Sequence, residues 1–453
     1  MNRVACLLLC LFASSATAAG WTHAGKIEAP CCFSGSHDGM HFGTVIAADM
    51  DMNSPSQIRA LYIGAPGFSQ VVGATTYPES GIVFVVVPVN GVWQPTTYLQ
   101  PPVPQAYGHF GAAIAVDSGV VAIGEPGYDN GAHVDAGRIT LLNDRNRNSP
   151  TYLPPQFDGL YFWDTTVDNG HFGDSVAVAG DGIANNGTGN WIVGGSPGAG
   201  AGCSSLIYFG DDQSWDDKGS VCGATAGDVF GASAAVYSFG MNDMIMAVGA
   251  PGEGITTGGA HVYHLSGGAL SNLANLQAEH PGQFGFFGTS IAIDGQRLYV
   301  GATGGDKPGT GRTGSVTLFN PGGPNNYTLN GEIFPGDAAH AGDLCGASIG
   351  LNLAGNGFAM GCPGSDAQSN GEGFARLVVP IPFIGGTLWL DQALQMGNLP
   401  HGADDMGRGV AMVGDYVYAG APLAEDLLGS DNGIVQIFGP DELFTDGFDG
   451  AAP

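Results

Sequence analysis

The chain has 453 residues, and its 41 acidic residues against 12 lysines and arginines give a formal net charge of −29 at neutral pH. Such an acidic surface repels phosphate backbones and anionic lipids, so nucleic acid and membrane surfaces are disfavoured as partners. Only 12% of the residues are charged and 78 are glycine, a composition that favours short strands and tight turns over helices.

The N-terminus has the pattern of a secretory signal peptide. Arg3 precedes an apolar run over residues 4–13, and Ala16 and Ala18 place small residues at the −3 and −1 positions of a cleavage site. We therefore predict that residues 1–19 are removed and that the protein is secreted, either extracellular or periplasmic. Because no later segment has about eighteen uninterrupted apolar residues, we expect no membrane span.

A repeated motif organises the remaining chain. An aromatic residue followed by glycine, with Cys or Met in the aromatic position of the last two copies, recurs at a mean spacing of about 61 residues. The aromatic position falls at residues 42, 110, 172, 230, 287, 345 and 406. Each copy is followed by a short apolar strand that ends in Gly-Ala-Pro or a variant, by a glycine-led strand, and by a weaker fourth strand. This pattern predicts an all-β fold, a seven-bladed β-propeller of four-stranded antiparallel blades.

This order of motifs over residues 41–438 resembles the FG-GAP repeats of integrin α-subunit heads and of many secreted bacterial proteins. The resemblance implies a single propeller domain, here residues 20–439, with an extracellular binding or adhesive function. We predict that the glycines of the motif have a structural role, since they allow the backbones of the inner strands to approach closely near the axis.

A propeller must join its last blade to its first, or two strand edges stay open. The last repeat shows three strands, whereas the segment Trp21 to Glu28 precedes the first motif as a fourth strand precedes the second. We predict that this segment supplies the fourth strand of blade 7, with Glu442 to Thr445 as the alternative donor. Residues 440–453 are predicted to form a C-terminal tail.

Six cysteines follow the signal peptide, and an even number in an exported chain indicates disulfides. Cys345 replaces the aromatic residue of blade 6 and Cys362 replaces the alanine of its Gly-Ala-Pro, two positions that antiparallel pairing makes neighbours. Cys203 and Cys222 flank the outer hairpin of blade 3. We predict the pairs Cys345–Cys362 and Cys203–Cys222. The adjacent Cys31 and Cys32 form either a vicinal pair or two thiols.

Integrin-type repeats often hold Ca²⁺ in an acidic loop between the first two strands, since a hard cation takes six to eight oxygen ligands. In blades 2, 5 and 7 the corresponding loops are only brief turns. Blade 1 offers Asp49, Asp51 and Asn53 as candidate ligands, although the bend lacks glycine and Gln57 stands where a later carboxylate belongs. The alternative is a solvated loop. No cofactor is predicted to be required.

Acidic residues also recur three positions after the proline slot of the motif, in the loops after the second strands: Asp129, Asp306, Asp366 and Glu425. We predict that they form a rim on one face, which either binds cations or a basic partner or caps its own turns. His41, His109 and His171 recur before the aromatic residue, which suggests either a metal site or repeated packing.

The sequence contains none of the common catalytic fingerprints HExxH, GxSxG, Walker or GxGxxG in the required context, so we predict no catalytic residue and no enzyme. The predicted function is a secreted or cell-surface binding propeller that recognises a protein or glycan through loops of one face, as a monomer. The alternatives are a secreted polysaccharide-acting enzyme with an axial site, or a structural component of an envelope or matrix.

Overall fold

The computed structural model shows a ring of seven four-stranded antiparallel sheets around a central axis, which confirms the predicted propeller. The residues that it describes are 21–30, 35–36, 38–51, 54–89, 92–117, 119–144, 155–180, 190–210, 214–240, 242–295, 297–323, 326–336, 340–352, 357–364, 372–383, 386–394, 404–425 and 431–440. The predicted signal peptide, Cys31, Cys32, Asp366 and residues 441–453 of the predicted tail lie outside them.

We name the strands of each blade A to D from the axis outward. The A strands are Val45–Asp51, Ala113–Asp117, Ser175–Gly180, Ser233–Gly240, Phe287–Asp294, Ile349–Leu351 and Val410–Val413. The B strands are Ser54–Ala65, Val120–Glu125, Asn190–Ser196, Asp243–Ala250, Arg297–Ala302, Phe358–Cys362 and Tyr416–Ala421. Neighbouring A strands contact one another all around the ring.

The outer half of each blade completes the sheet. The C strands are Ile82–Val89, Arg138–Asp144, Cys203–Phe209, Gly259–Ser266, Ser315–Gly323, Phe374–Phe383 and Ile434–Pro440. The D strands of blades 1 to 6 are Val92–Leu99, Phe157–Asp164, Trp215–Cys222, Ala269–Leu276, Asn326–Ile333 and Gly386–Leu394.

The N-terminal segment closes the ring. Trp21–Glu28 pairs antiparallel with Ile434–Pro440 as the D strand of blade 7, in a register that places Glu28 opposite Ile434. This confirms the predicted donor, whereas the alternative donor lies outside the described residues. The closure joins the two ends of the propeller through backbone hydrogen bonds, so blade 7 has no open edge at its C strand.

Short elements occur in the loops between B and C strands and in the segment before the first A strand. In blade 1, Gly35–Ser36, Ser69–Val72 and Thr75–Tyr77 form a small three-stranded sheet. In blade 5, Asp306–Lys307 pairs with Gly311–Arg312. In blade 4 the segment Glu253–Thr256 forms a turn with left-handed backbone at Gly254 and Ile255.

The seams between blades depend on glycine. If the glycine before the Ala-Pro position carried a Cβ atom, that atom would lie 1.8–2.2 Å from the carbonyl oxygen of the next blade's motif glycine. At Gly124, for example, it would lie 1.8 Å from the Gly173 oxygen. The aromatic side chains of the motif, from Phe42 to Phe287, are almost completely buried. The predicted architectural role of these residues is therefore confirmed.

The topology gives the propeller two distinct faces. In blades 1 to 6 the glycine just before the C strand forms a parallel bridge with the aromatic position of the next blade, for example Gly81 with Phe110. The B–C loops and the connections between blades therefore share one face, which we call the upper face. The A–B and C–D turns lie on the lower face.

Both predicted disulfides are present. Cys203 and Cys222 are register partners on the C and D strands of blade 3. Cys345 and Cys362 join the motif start to the end of the B strand in blade 6. Two such bonds are typical of proteins in oxidising compartments. Among the described residues, the structure contains no helix that is both long and apolar enough to cross a membrane.

Candidate functional site

The predicted acidic rim residues that the structure describes lie in B–C loops of the upper face. The Asp129 carboxylate accepts the backbone N–H of Asp135 at 2.8 Å, so it caps its own loop as one of the two interpretations predicts. Asp306 begins the hairpin of blade 5 and lines a cleft there. Glu425 is exposed on blade 7.

The candidate calcium ligand Asp49 is buried beside an arginine. Its carboxylate lies 3.4 Å from the Arg59 guanidinium, which also forms an ion pair with Asp144 of blade 2. Burial, followed by the charges of Asp49 and Asp144, raises the pKa of the nearby Tyr62 hydroxyl, and Arg59 opposes this shift. Asp51 pairs through its backbone with Ser54. Asn53 and the Asp51 side chain lie outside the described part of the chain.

The three recurring histidines occupy a strained backbone position. In all seven blades the residue before the aromatic position has a left-handed φ of 52–59°, where non-glycine residues are uncommon. His109 lies 2.9 Å from the Glu79 carboxylate, and within the described residues the three histidines do not gather into a metal-binding group. The sequence carries no signal for this conformation, because the position is filled by side chains as different as histidine, valine and aspartate.

The upper face exposes an unusual share of apolar side chains. Nine of the fifteen large apolar residues exposed in the described part of the protein lie in its B–C loops and blade connections: Val72, Val103, Tyr107, Val134, Val167, Val229, Ile255, Phe284 and Leu344. Clustered exposed apolar residues mark interaction surfaces more often than scattered ones do.

The strongest part of this surface lies on blades 4 and 5. Ile255 is 79% exposed and is the middle of three consecutive left-handed residues, with φ values of 63°, 62° and 65° from Gly254 to Thr256. A β-branched residue in this region is a true outlier that costs about 1–3 kcal/mol, and such strain concentrates at functional sites. Glu253 anchors the loop through a 2.6 Å contact with His261.

The next blade connection extends this apolar ridge. The backbone N–H of Phe286 donates to Thr256 at 3.0 Å, so the connection lies directly against the strained loop. The Phe284 and Phe286 rings are 6.5 Å apart, and the Arg312 guanidinium lies 5.7 Å from the Phe284 ring centre. Ile255, Phe284, Phe286 and Arg312 therefore belong to one continuous surface, which we call the blade-4/5 ridge.

A cleft of about 570 Å³ adjoins the ridge. Its walls are the connection over residues 279–282 and the hairpin over residues 306–311. Lys307 lies in one wall and donates to the carbonyls of Pro335 and Gly336 at 2.7 and 3.0 Å. Glu279 and His280 stand in the other wall, and together with Glu332 they bring three possible metal ligands within 4.8 Å of one another.

The central channel is a second cavity, of about 870 Å³. Its described lining consists mainly of small and aliphatic residues of the A strands. The acid in this lining, Asp117, accepts the backbone N–H of Gly180 at 2.7 Å, and Asn352 donates to the carbonyl of Gly414 at 3.0 Å. These two side chains join neighbouring blades at the lower mouth.

Blade 2 carries a buried ion pair in place of the alanine of its Gly-Ala-Pro. The Glu125 carboxylate accepts the Arg138 Nε–H at 3.1 Å, and the guanidinium lies 3.8 and 4.8 Å from the ring centres of Tyr128 and Phe162. Burial raises the pKa of Glu125 to about 7, and Arg138 opposes the shift. The pair is remote from the blade-4/5 ridge and acts on stability.

Comparison with known proteins adds no name to this site. The chain matches neither a model of a known protein family nor any curated protein sequence. The likeness to FG-GAP repeats therefore stays a resemblance of motifs, and the seven-bladed propeller with its two disulfides is what the structure establishes.

Proposed function

We propose that this protein is an extracellular binding propeller that recognises a protein partner through the blade-4/5 ridge. The observation that carries the proposal is the exposed, strained Ile255 loop, which is hydrogen-bonded to the connection that carries Phe284 and Phe286. Apolar and aromatic side chains in the centre of a surface patch supply most of the free energy in typical protein–protein interfaces.

The charges around the ridge indicate the chemistry of the partner. Glu253, Glu279 and Asp306 flank it, on a chain with a net charge of −29. A partner surface with an apolar centre and lysine or arginine at its edge complements this arrangement. Its association is then faster at low ionic strength, since screening by salt weakens the attraction between opposite charges.

A binding screen with matched variants tests the proposal. The mature protein is applied to an array of extracellular proteins and glycans at low and physiological salt, and each hit is measured again with two double variants. Ile255→Ser with Phe284→Ser removes the ridge. Phe239→Ser with Val92→Ser is the control, because both residues are similarly exposed but lie on the lower face.

We expect a protein hit whose dissociation constant rises at least about tenfold in the ridge variant and is unchanged in the control variant. Equal binding by the ridge variant, or equal loss in both variants, would contradict the assignment of the face. If only glycans bind, the proposal of a protein partner is wrong and the partner is a glycan.

A further inference from the structure

We propose that Glu279, His280 and Glu332 form a binding site for a divalent transition metal of the Zn²⁺ class at the edge of the blade-5 cleft. The inference goes beyond the proposed function, because metal binding at these residues requires no protein partner. It is also distinct from the predicted calcium loop of blade 1, which is on the lower face.

The spacing of the donor atoms suits a small metal ion. The three side chains place one ligand atom each within 4.8 Å of one another. His280 Nδ1 lies 3.0 Å from Glu332 Oε2, and two ligands with metal bonds of 2.0–2.1 Å at a tetrahedral angle are about 3.3 Å apart. A metal can therefore enter between these two atoms after a shift of a few tenths of an ångström, while the exposed Glu279 rotates towards it.

The Glu332 carboxylate is held in place before any ion binds. Its side chain is fully buried, one oxygen accepts the Ser315 hydroxyl at 2.6 Å, and the other accepts the backbone N–H of His280 at 3.0 Å. The His280 ring also packs against Phe334, with ring centres 5.9 Å apart. Outer partners of this kind orient metal ligands and raise affinity.

The charge balance favours a cation. A buried carboxylate needs a positive partner, and the ion pair formed by Glu332 is with the imidazole of His280, which is half exposed. The exposed carboxylate of Glu279 adds a second negative charge within 4.8 Å. A divalent ion neutralises both carboxylates and uses the neutral imidazole as its nitrogen ligand.

The donor types select the metal. One imidazole nitrogen with two carboxylates is a set that suits Zn²⁺ and related ions, whereas Ca²⁺ takes six to eight oxygens. Three protein ligands leave the fourth tetrahedral position open. In this structure the group borders the cleft lined by Asp306 and Lys307, so water or an oxygen of a small ligand has room to fill that position.

Zinc titration of the full mature chain tests the site. The protein is treated with EDTA, its accessible thiols are alkylated with iodoacetamide so that Cys31 and Cys32 do not compete, and ZnCl₂ is titrated by calorimetry without any partner. We expect about one equivalent of tight zinc binding, a higher melting temperature with zinc, and much weaker binding of CaCl₂.

Three variants locate the ion. His280→Ala and Glu279→Gln should each weaken zinc binding at least tenfold, and Glu279 is exposed, so its replacement leaves the fold intact. His264→Ala is the matched control, because His264 forms a similar 2.6 Å pair with Asp243 but belongs to no group of three ligands in the described chain. This variant should bind zinc like the natural protein.

Absence of tight zinc binding, tighter binding of calcium than of zinc, or equal loss in the His264→Ala control would overturn the site. Partner binding measured in EDTA separates the two proposals, because the ridge is expected to bind without the metal.

Discussion

Four seams of the ring differ from the other three in the side chains that join them. In the arc from blade 3 to blade 7, the serine three positions after the motif's aromatic position donates its hydroxyl to the carbonyl of the next blade's motif glycine. The four bonds of this serine arc, at 2.7–2.8 Å, are Ser175 to Gly231, Ser233 to Gly288, Ser290 to Gly346 and Ser348 to Gly407. Gly409, Val45 and Ala113 take the same position in the remaining arc.

The remaining arc, from blade 7 through blades 1 and 2 to blade 3, uses other chemistry. Arg59 joins Asp49 to Asp144 across the seam between blades 1 and 2, and Asp117 accepts from Gly180 across the next seam. The backbone contacts at the glycines are the same in both arcs. The repeated backbone therefore builds the ring in both arcs. The side chains at the seams differ in chemistry, and those of the charged arc respond more strongly to changes of charge and pH.

Deleting residues 20–29 should have the largest effect on the stability of the ring. The deletion removes the D strand of blade 7 and exposes the C strand over Ile434–Pro440, so we expect an unfolded or aggregating product. Size-exclusion chromatography and thermal unfolding measure the outcome, with deletion of residues 441–453 as the control. Natural stability of the shortened chain would show that closure does not depend on this strand.

Replacing Arg59 should strongly weaken the charged arc. In Arg59→Met the buried carboxylates of Asp49 and Asp144 lose the guanidinium between them, and removing one partner of a buried ion pair costs about 3–5 kcal/mol. Chemical denaturation at neutral pH gives the free energy of unfolding. Lys26→Met is the control, since its pair with Glu28 is exposed; equal losses would contradict the buried role of Arg59.

Glu125 makes the same arc sensitive to pH. Because burial raises its pKa in the folded protein to about 7, against 4.5 for an ordinary glutamate, the folded state holds the proton over this range and the unfolded state does not. Its contribution to stability is complete below about pH 4.5 and is lost as the pH rises to about 7, with a slope of up to about 1.4 kcal/mol per pH unit.

Denaturation at several values between pH 5 and pH 8 tests this prediction. Glu125→Gln should flatten the pH dependence, whereas the exposed Glu425→Gln should leave it unchanged. An identical slope in Glu125→Gln and the natural protein would mean that Glu125 does not bind the proton.

The serine arc should respond least. Ser233→Ala removes one hydroxyl donor from the Gly288 carbonyl and should lower the free energy of unfolding by about 1 kcal/mol, the net value of one hydrogen bond. The reverse change, Ala113→Ser, places a hydroxyl near the motif glycine of blade 3 and should stabilise by about the same amount. A loss of stability in Ala113→Ser would show that the two arcs do not share one seam geometry.

Position in the repeat was enough to predict which face of the propeller carries a loop, whereas the partner of a buried side chain depends on packing. Asp306 was expected on a loop of one face, and it lies there. Asp49 was predicted as a calcium ligand, and the pairing of its carboxylate with Arg59 carried no signal in the repeat. The left-handed residue before each aromatic position could not be predicted, because histidine fills it in only three blades and four other residue types fill it in the rest.

The sequence by itself determined the number of blades, the strand that closes the ring and both disulfides. Each follows from a local motif repeated seven times, since backbone pairing and glycine contacts recur wherever the motif does. Only the tertiary structure decided which loops form a surface: it joins the strained Ile255 loop to the connection at Phe286, and Glu332 to His280 from 52 residues away. These contacts join residues of different repeats, and the residues that form them do not recur from repeat to repeat, so the sequence shows no periodic pattern that would reveal them.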